Sequence, residues 1–268
     1  MKPLWVLPLL ALLATPGPQK KRVYEEIDVP DGGSITGTVL WKGERPRIEP
    51  FRIDKNIETC QVGDSPTKPS RRLVISEAGG VEMTVVYLEK MAKGKPLFTL
   101  PKKQRLDQKG CEYHPRMFVL PRKGKLEMTT SDDTLHNIHM RGAAPYNIAF
   151  PKKGMVETRP FRRVGIARVV CDAGHGWMTG YIHVVDHPYY VITDKEGKFQ
   201  IEDIPPGKYT LNAWHEGWRI VEKDSVKDPR TGEESIKGYV FSDPIVLSQE
   251  VEVTPLKETQ VTFELSED

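Results

Sequence analysis

Short stretches in which apolar and polar residues alternate, each closed by glycine, proline or a charged turn, run through most of the chain. Residues 35–41 alternate between glycines and predict a strand. Residues 73–76 and 81–88 predict two more, with Gly79-Gly80 free to take the positive φ of a tight hairpin. A second set lies between 116 and 186: residues 117–120 and 126–130 flank a hairpin loop at 121–125, and 166–170 and 180–185 flank the segment 171–179. Residues 189–192, 198–201 and 208–213 then predict a meander. The polar stretch 222–238 reads as a long loop, and 239–247 and 259–265 as closing strands. No run sustains a helical period, so the pattern predicts an all-β protein.

The beginning of the chain follows a different rule. Lys2, an apolar run over 4–13 and the turn-prone Thr15-Pro16-Gly17-Pro18 read as a secretory signal over 1–18. The run falls short of the roughly twenty residues of a membrane span. The mature protein is therefore expected in the periplasm or outside the cell, without a membrane span, an uncleaved anchor being the alternative. Charge sharpens the domain picture. Between Lys95 and Pro188, sixteen lysines and arginines face eight aspartates and glutamates, although the whole chain carries only +2. A basic module thus sits inside an acidic scaffold; it is either a partner-facing surface or a solvated one, and nothing in it calls for nucleic acid.

Two segments far apart resemble one family. The opening strand Gly33-Ser34-Ile35-Thr36-Gly37-Thr38-Val39, together with Thr193–Phe199 and Ile204–Leu211, resembles the transthyretin-like, carboxypeptidase-regulatory type of β-sandwich. About 150 residues separate pieces that the family keeps close. The resemblance implies a discontinuous sandwich over 33–95 and 188–268, with the module of 100–187 inserted at a loop tip. Two tandem domains are the simpler alternative.

Candidate chemistry concentrates in the inserted module. Cys171, His175 and Met178 fall within eight residues between two predicted strands. A thiolate, an imidazole and a thioether are soft or borderline ligands suited to copper, and His136 is the best distant residue to close the set. The order of a strand, Gly124, a strand, His136-Asn137 and then Cys171…His175…Met178 is similar to that of the cupredoxins. That resemblance implies a Greek-key copper domain in which His136, Cys171 and His175 are equatorial ligands, Met178 is a weak axial one, and Asn137 braces the loop and the sulfur. It leaves His139 as a possible replacement or extra ligand. The spacing Cys-x3-His-x2-Met looks like half of a binuclear copper loop, but Ala167 stands where the second cysteine belongs, so one copper per chain is expected. Residues 106–111, 134–139 and Trp214-His215-Glu216 together resemble bacterial exported proteins that pair these two kinds of segment.

Cys60 and Cys111 remain. In an oxidising compartment they are expected to form a disulfide; zinc bound by Cys111-x2-His114 and Cys171-x3-His175 is the rival reading. His183, His187 and His215 carry no paired motif, and His215-Glu216 reads as a surface or edge feature. The function these readings support is one-electron transfer without independent catalysis. An acidic redox partner would dock on Lys102, Lys103, Arg105, Lys152, Lys153, Arg159, Arg162 and Arg163. The alternative is a non-redox structural or carbohydrate- or partner-binding β-sandwich protein in which the metal is structural or absent.

Overall fold

The computed structural model describes residues 23–61, 63–232 and 234–267, so the signal reading at 1–18 lies outside the described residues. Nearly every described element is a strand, as the alternation predicts. Four sheets stack in succession. The first has the order Val156–Pro160, Lys125–Thr130, Lys103–Gln108, Tyr113–His114; the second runs Asn147–Phe150, His136–Gly142, Gly165–Val170, Thr179–Val185, Met117–Pro121. Leu106, Leu126, Met128, Ile138, Phe150, Val169 and Ile182 fill the space between them. The third sheet, Tyr190–Ile192, Val85–Leu88, Gly207–His215, Ile245–Val253, faces the fourth, Lys198–Ile204, Gly33–Trp41, Glu258–Leu265. Ile35, Val39, Leu88, Phe199, Leu211 and Phe263 form that second core.

A third cluster, Val85, Met117, Val119, Tyr181, Val185 and Trp214, joins the second sheet to the third. It explains two runs that do not alternate. Successive side chains of a strand point to opposite faces. In Met117–Pro121, Phe118 and Leu120 enter the first core while Met117 and Val119 enter the seam. In Thr179–Val185, Ile182 and Val184 face inward while Tyr181 and Val185 face the seam. Both faces of these strands are covered, so all their residues are apolar or buried.

The connections differ from the sequence reading. The strands Met117–Pro121 and Lys125–Thr130 belong to different sheets, so the residues between them carry the chain across the core rather than forming a hairpin. The expected meander after 188 likewise alternates between layers: Lys198–Ile204 pairs with Gly33–Trp41, whereas Tyr190–Ile192 and Gly207–His215 flank Val85–Leu88. Residues 73–76 contribute only an isolated bridge between Ile75 and Val81, and Met83 at a φ of 62° delays the following strand to Val85–Leu88. The expected closing strand 239–247 is divided between Glu234–Phe241 and Ile245–Val253. The polar segment 222–238 lies in a hairpin, Ile220–Lys227 with Glu234–Phe241, instead of a loop. It is mostly exposed, which removes the need for alternation. Asp228 fixes its turn by accepting the N–H groups of Arg230 and Thr231.

Two segments of the outer sandwich's sequence reach the first core. Phe51, Ile53, Cys60 and Tyr239 all belong to it. The disulfide Cys60–Cys111, the pairing expected, ties the first of these segments to the turn between Lys103–Gln108 and Tyr113–His114. Closing 51 residues of chain in this way stabilises the fold by on the order of 4 kcal/mol in the chain-entropy picture.

Candidate metal centre

The segment 171–178 is the loop of an antiparallel hairpin whose last pair is Val170 with Thr179. Both ends are therefore fixed, and ordering the loop costs little further entropy. Met178 donates its N–H to the His175 carbonyl at 2.9 Å, closing the turn. Gly174 has a φ of +92°, and a Cβ on Gly176 would stand 2.6 Å from the Gly238 Cα, so only glycine lets the loop lie against the 220–241 hairpin. His136 opens the strand His136–Gly142, and the pairing of His139 with Val170 brings the start of that strand beside Cys171.

Three donor atoms converge there. His136 Nδ1 lies 3.2 Å from His175 Nδ1, and Cys171 Sγ lies 3.6 Å from His175 Nδ1 and 4.0 Å from His136 Nδ1. A circle through these atoms has a radius of about 2.1 Å, within the roughly 2.0–2.3 Å range of metal–imidazole and metal–thiolate bonds. A single metal ion therefore fits without moving them. Both imidazoles turn the other nitrogen to an anchor: His136 Nε2 to Asp132 Oδ2 and His175 Nε2 to Asn56 Oδ1, each at 2.9 Å. Such anchors fix the ring orientation and leave Nδ1 as the free donor. All three donor residues are buried.

The electrostatics of the two rings diverge. Burial alone would lower His136, but its hydrogen bonds to Asp132 and Cys171, which accept from the charged ring, outweigh burial and raise it above its ordinary value. His175 is pushed down to about 4 by burial, the neighbouring His136 and Lys55. His175 is thus neutral and ready as a ligand well below neutral pH.

The other expected residues differ in how they relate to this triangle. The Asn137 N–H points at Cys171 Sγ at 3.5 Å, and its Oδ1 accepts the Asp172 N–H at 2.5 Å. Its amide also donates to Asn147 Oδ1 at 2.8 Å. Met178 is buried in the same cluster as Cys171 and borders a small cavity beside Lys68, Arg72 and Trp177. His139 does not join the donors. An odd separation along a strand turns it to the other face from His136, where it meets Asp172 at 2.5 Å near solvent. The zinc alternative loses Cys111 to the disulfide, and His114 is exposed beside Lys109 and Glu112. Ala167 pairs with Gly142 at the far end of the strand, away from the donors.

His215-Glu216 is not a surface feature. Glu216 is wholly buried at the seam and pairs with Arg72 at 2.7 Å and with Arg116. Asn56 and Asp132 were not singled out from the sequence. Asp132, four residues before His136, offered a faint signal; Asn56, 119 positions from His175, offered none.

The basic residues do not share one face. Lys152 and Lys153 follow Phe150, the strand partner of His136, at the metal end. Arg163 bonds the Gly142 carbonyl at the opposite end of that strand. Lys103, paired with Lys125 and through it with Pro160, lies at that far end as well.

Comparisons with known proteins are partial. Residues 186–238 match the family described as BOS complex subunit NOMO1-like, second beta sandwich domain. No curated protein matches the chain. Among solved structures, a copper-containing nitrite reductase from Thermus scotoductus SA-01 is similar over 32% of this chain and 22% of its own, at 20% identity and a TM-score of 0.28. A purple cupredoxin from Nitrosopumilus maritimus is similar over 30% of this chain and 98% of its own, at 18% identity and a TM-score of 0.27. A reduced Cu(I) form of an amicyanin mutant is similar over 30% and 80%, at 19% identity and a TM-score of 0.27. Likenesses of this size carry no functional conclusion.

Proposed function

We propose that the chain is an exported protein that holds one copper ion through His136, Cys171 and His175, with Met178 as a weak fourth ligand, and transfers single electrons. Bound copper would supply a one-electron couple. The residues supply the rest. The thiolate and the two imidazole nitrogens converge at separations that a single metal ion spans, and their burial keeps water away. The Asn137 N–H takes up part of the thiolate charge. Asn56 is exposed and hydrogen-bonded to His175, so a single side chain separates that ring from solvent. Three buried donors suit electron transfer better than catalysis. An acidic redox protein approaching Lys152 and Lys153 is the partner this end fits, through a small interface in which charge raises encounter rate. The apolar start of the chain and the buried disulfide support a periplasmic or extracellular setting.

The observation that carries this reading is the donor triangle. Titration with Cu(II) should saturate at one equivalent and give a thiolate-to-copper charge-transfer band with the EPR signature of a single copper. Cys171→Ala should abolish the band, and Met178→Leu should shift the potential without emptying the site. A coloured Cys171→Ala protein, or a mixed-valence two-copper EPR pattern, would sink the reading. The family match over 186–238, to a β-sandwich domain, favours a second one, a non-redox structural or partner-binding sandwich protein. A reversible one-electron wave from the copper-loaded protein decides between them.

A further inference from the structure

The two histidines are connected by a second route that runs through the disulfide. His175 is held by Asn56, whose carbonyl accepts the Cys60 N–H at 2.9 Å. Cys60 is bonded to Cys111, whose N–H donates to Asp132 at 2.8 Å, and Asp132 holds His136. The disulfide therefore lies directly beside the donor triangle. The two sulfurs and a ring nitrogen of His175 all lie within 4.8 Å of one another, and all three residues are buried. While the S–S bond exists, neither sulfur is a thiolate, and only thiolates bind metal strongly.

We propose that reduction of Cys60–Cys111 turns this cluster into a second metal site. Two thiolates and the His175 imidazole would bind a borderline or soft cation of closed d shell, Zn(II) or Cu(I). The two sites share His175, so filling one weakens the other. The second uses neither Cys171 nor His136, and it stands or falls apart from the copper reading.

The reductant is a dithiol. Its thiolate attacks one sulfur of the disulfide, breaking the S–S bond and forming a mixed disulfide. Its second thiol then displaces the protein sulfur and leaves as a cyclic disulfide. Two electrons and two protons pass to Cys60 and Cys111, and metal binding afterwards releases the two thiol protons. Access is local. Cys60 ends the single helical turn Ile57–Cys60, with Ile57 half exposed and Asn56 at a left-handed φ of 49° leading into it. A one-turn surface element opens at little cost compared with global unfolding. After cleavage the sulfurs need only part to roughly 3.8 Å, the separation two thiolates keep on a tetrahedral zinc.

The test uses the full chain carrying Cys171→Ser, in which Cys60 and Cys111 are the remaining cysteines. Cobalt(II), a coloured substitute for zinc, is titrated into the oxidised protein and into protein reduced with a dithiol that is then removed anaerobically. The reduced form should bind one equivalent with a thiolate-to-cobalt band, and the oxidised form should show no such band. Adding His175→Gln should weaken binding at least about tenfold, a loss of the size seen when a metal site's supporting residues are removed. In the unaltered chain, zinc added after reduction should protect Cys60 and Cys111 together from iodoacetamide. Equal cobalt binding by both redox forms would overturn the proposal, as would binding indifferent to His175→Gln. So would loss of near-ultraviolet dichroism on reduction, since the site requires a folded His175.

Discussion

At the scale of residues, the centre depends on two anchoring side-chain oxygens, a carboxylate and an amide, as much as on its three donors. Asp132 does three things at once: it accepts from His136 Nε2, from the Gly110 N–H at 2.7 Å and from the Cys111 N–H at 2.8 Å. Burial would raise this carboxyl, but those hydrogen bonds, above all the one to His136, hold it below the usual range. Asn56 makes one neutral bond to His175. Asp132→Ala should therefore weaken copper binding by about 10–100-fold, and Asn56→Ala by less, because removing an anchored orientation costs that much at metal sites. Competition against a chelator of known affinity measures both, and an Asp132→Ala protein with unchanged affinity would contradict the account. Cys171, His175 and His136 were legible in the sequence as a candidate donor set because residue type and order point to it. Their anchors were not, because Asn56 comes from a turn more than a hundred residues away and is defined only by the fold.

At the scale of elements, the alternating strands were legible and their partners were not. Lys198–Ile204 and Glu258–Leu265 show one buried and one open face, and their pattern states it. The register shift after Ile201 and the left-handed Asp203 end that regularity. Which sheet a strand joins depends on pairing across the core, and local pattern holds no information on that. The seam between the second and third sheets shows what was missed. Arg72 is buried, stacks 3.6 Å from the Phe241 ring and donates to Gly217 and Thr179 as well as to Glu216. Both guanidiniums hold the Glu216 carboxylate charged against the burial that opposes it. Removing that carboxylate leaves two guanidiniums without their partner, Arg72 enclosed and Arg116 largely so. Glu216→Ala should destabilise the protein by about 3–5 kcal/mol, read as a lower urea midpoint at unchanged slope. A loss below 1 kcal/mol would mean that water replaces the carboxylate at both guanidiniums.

At the scale of the whole molecule, three buried histidines should make the fold acid-sensitive. His183 meets Trp214 with ring centroids 4.7 Å apart, His187 lies among Tyr24, Tyr189 and Tyr190, and His215 lies beside Trp218 and Glu216. Burial pushes each of the three down to about 4, although Glu216 opposes the shift at His215 and Asp186 opposes it at His187. The unfolded chain binds these protons near pH 6.5 and the folded one only near pH 4, so the unfolded state is the more protonated between those values. Stability present above pH 6.5 is therefore lost as the pH falls towards 4. Each histidine contributes a slope of up to about 1.4 kcal/mol per pH unit within that window. Metal-free protein should lose thermal stability steadily from pH 7 to pH 4.5. His183→Phe, which keeps a ring against Trp214 and removes one proton, should flatten the slope by about a third of the part these three residues supply. The effect belongs to the assembly rather than to either sandwich alone, because His183 comes from the second sheet and its Trp214 cover from the third. A melting temperature constant from pH 7 to pH 4.5 would show that the three rings do not keep their neutral form in the folded protein.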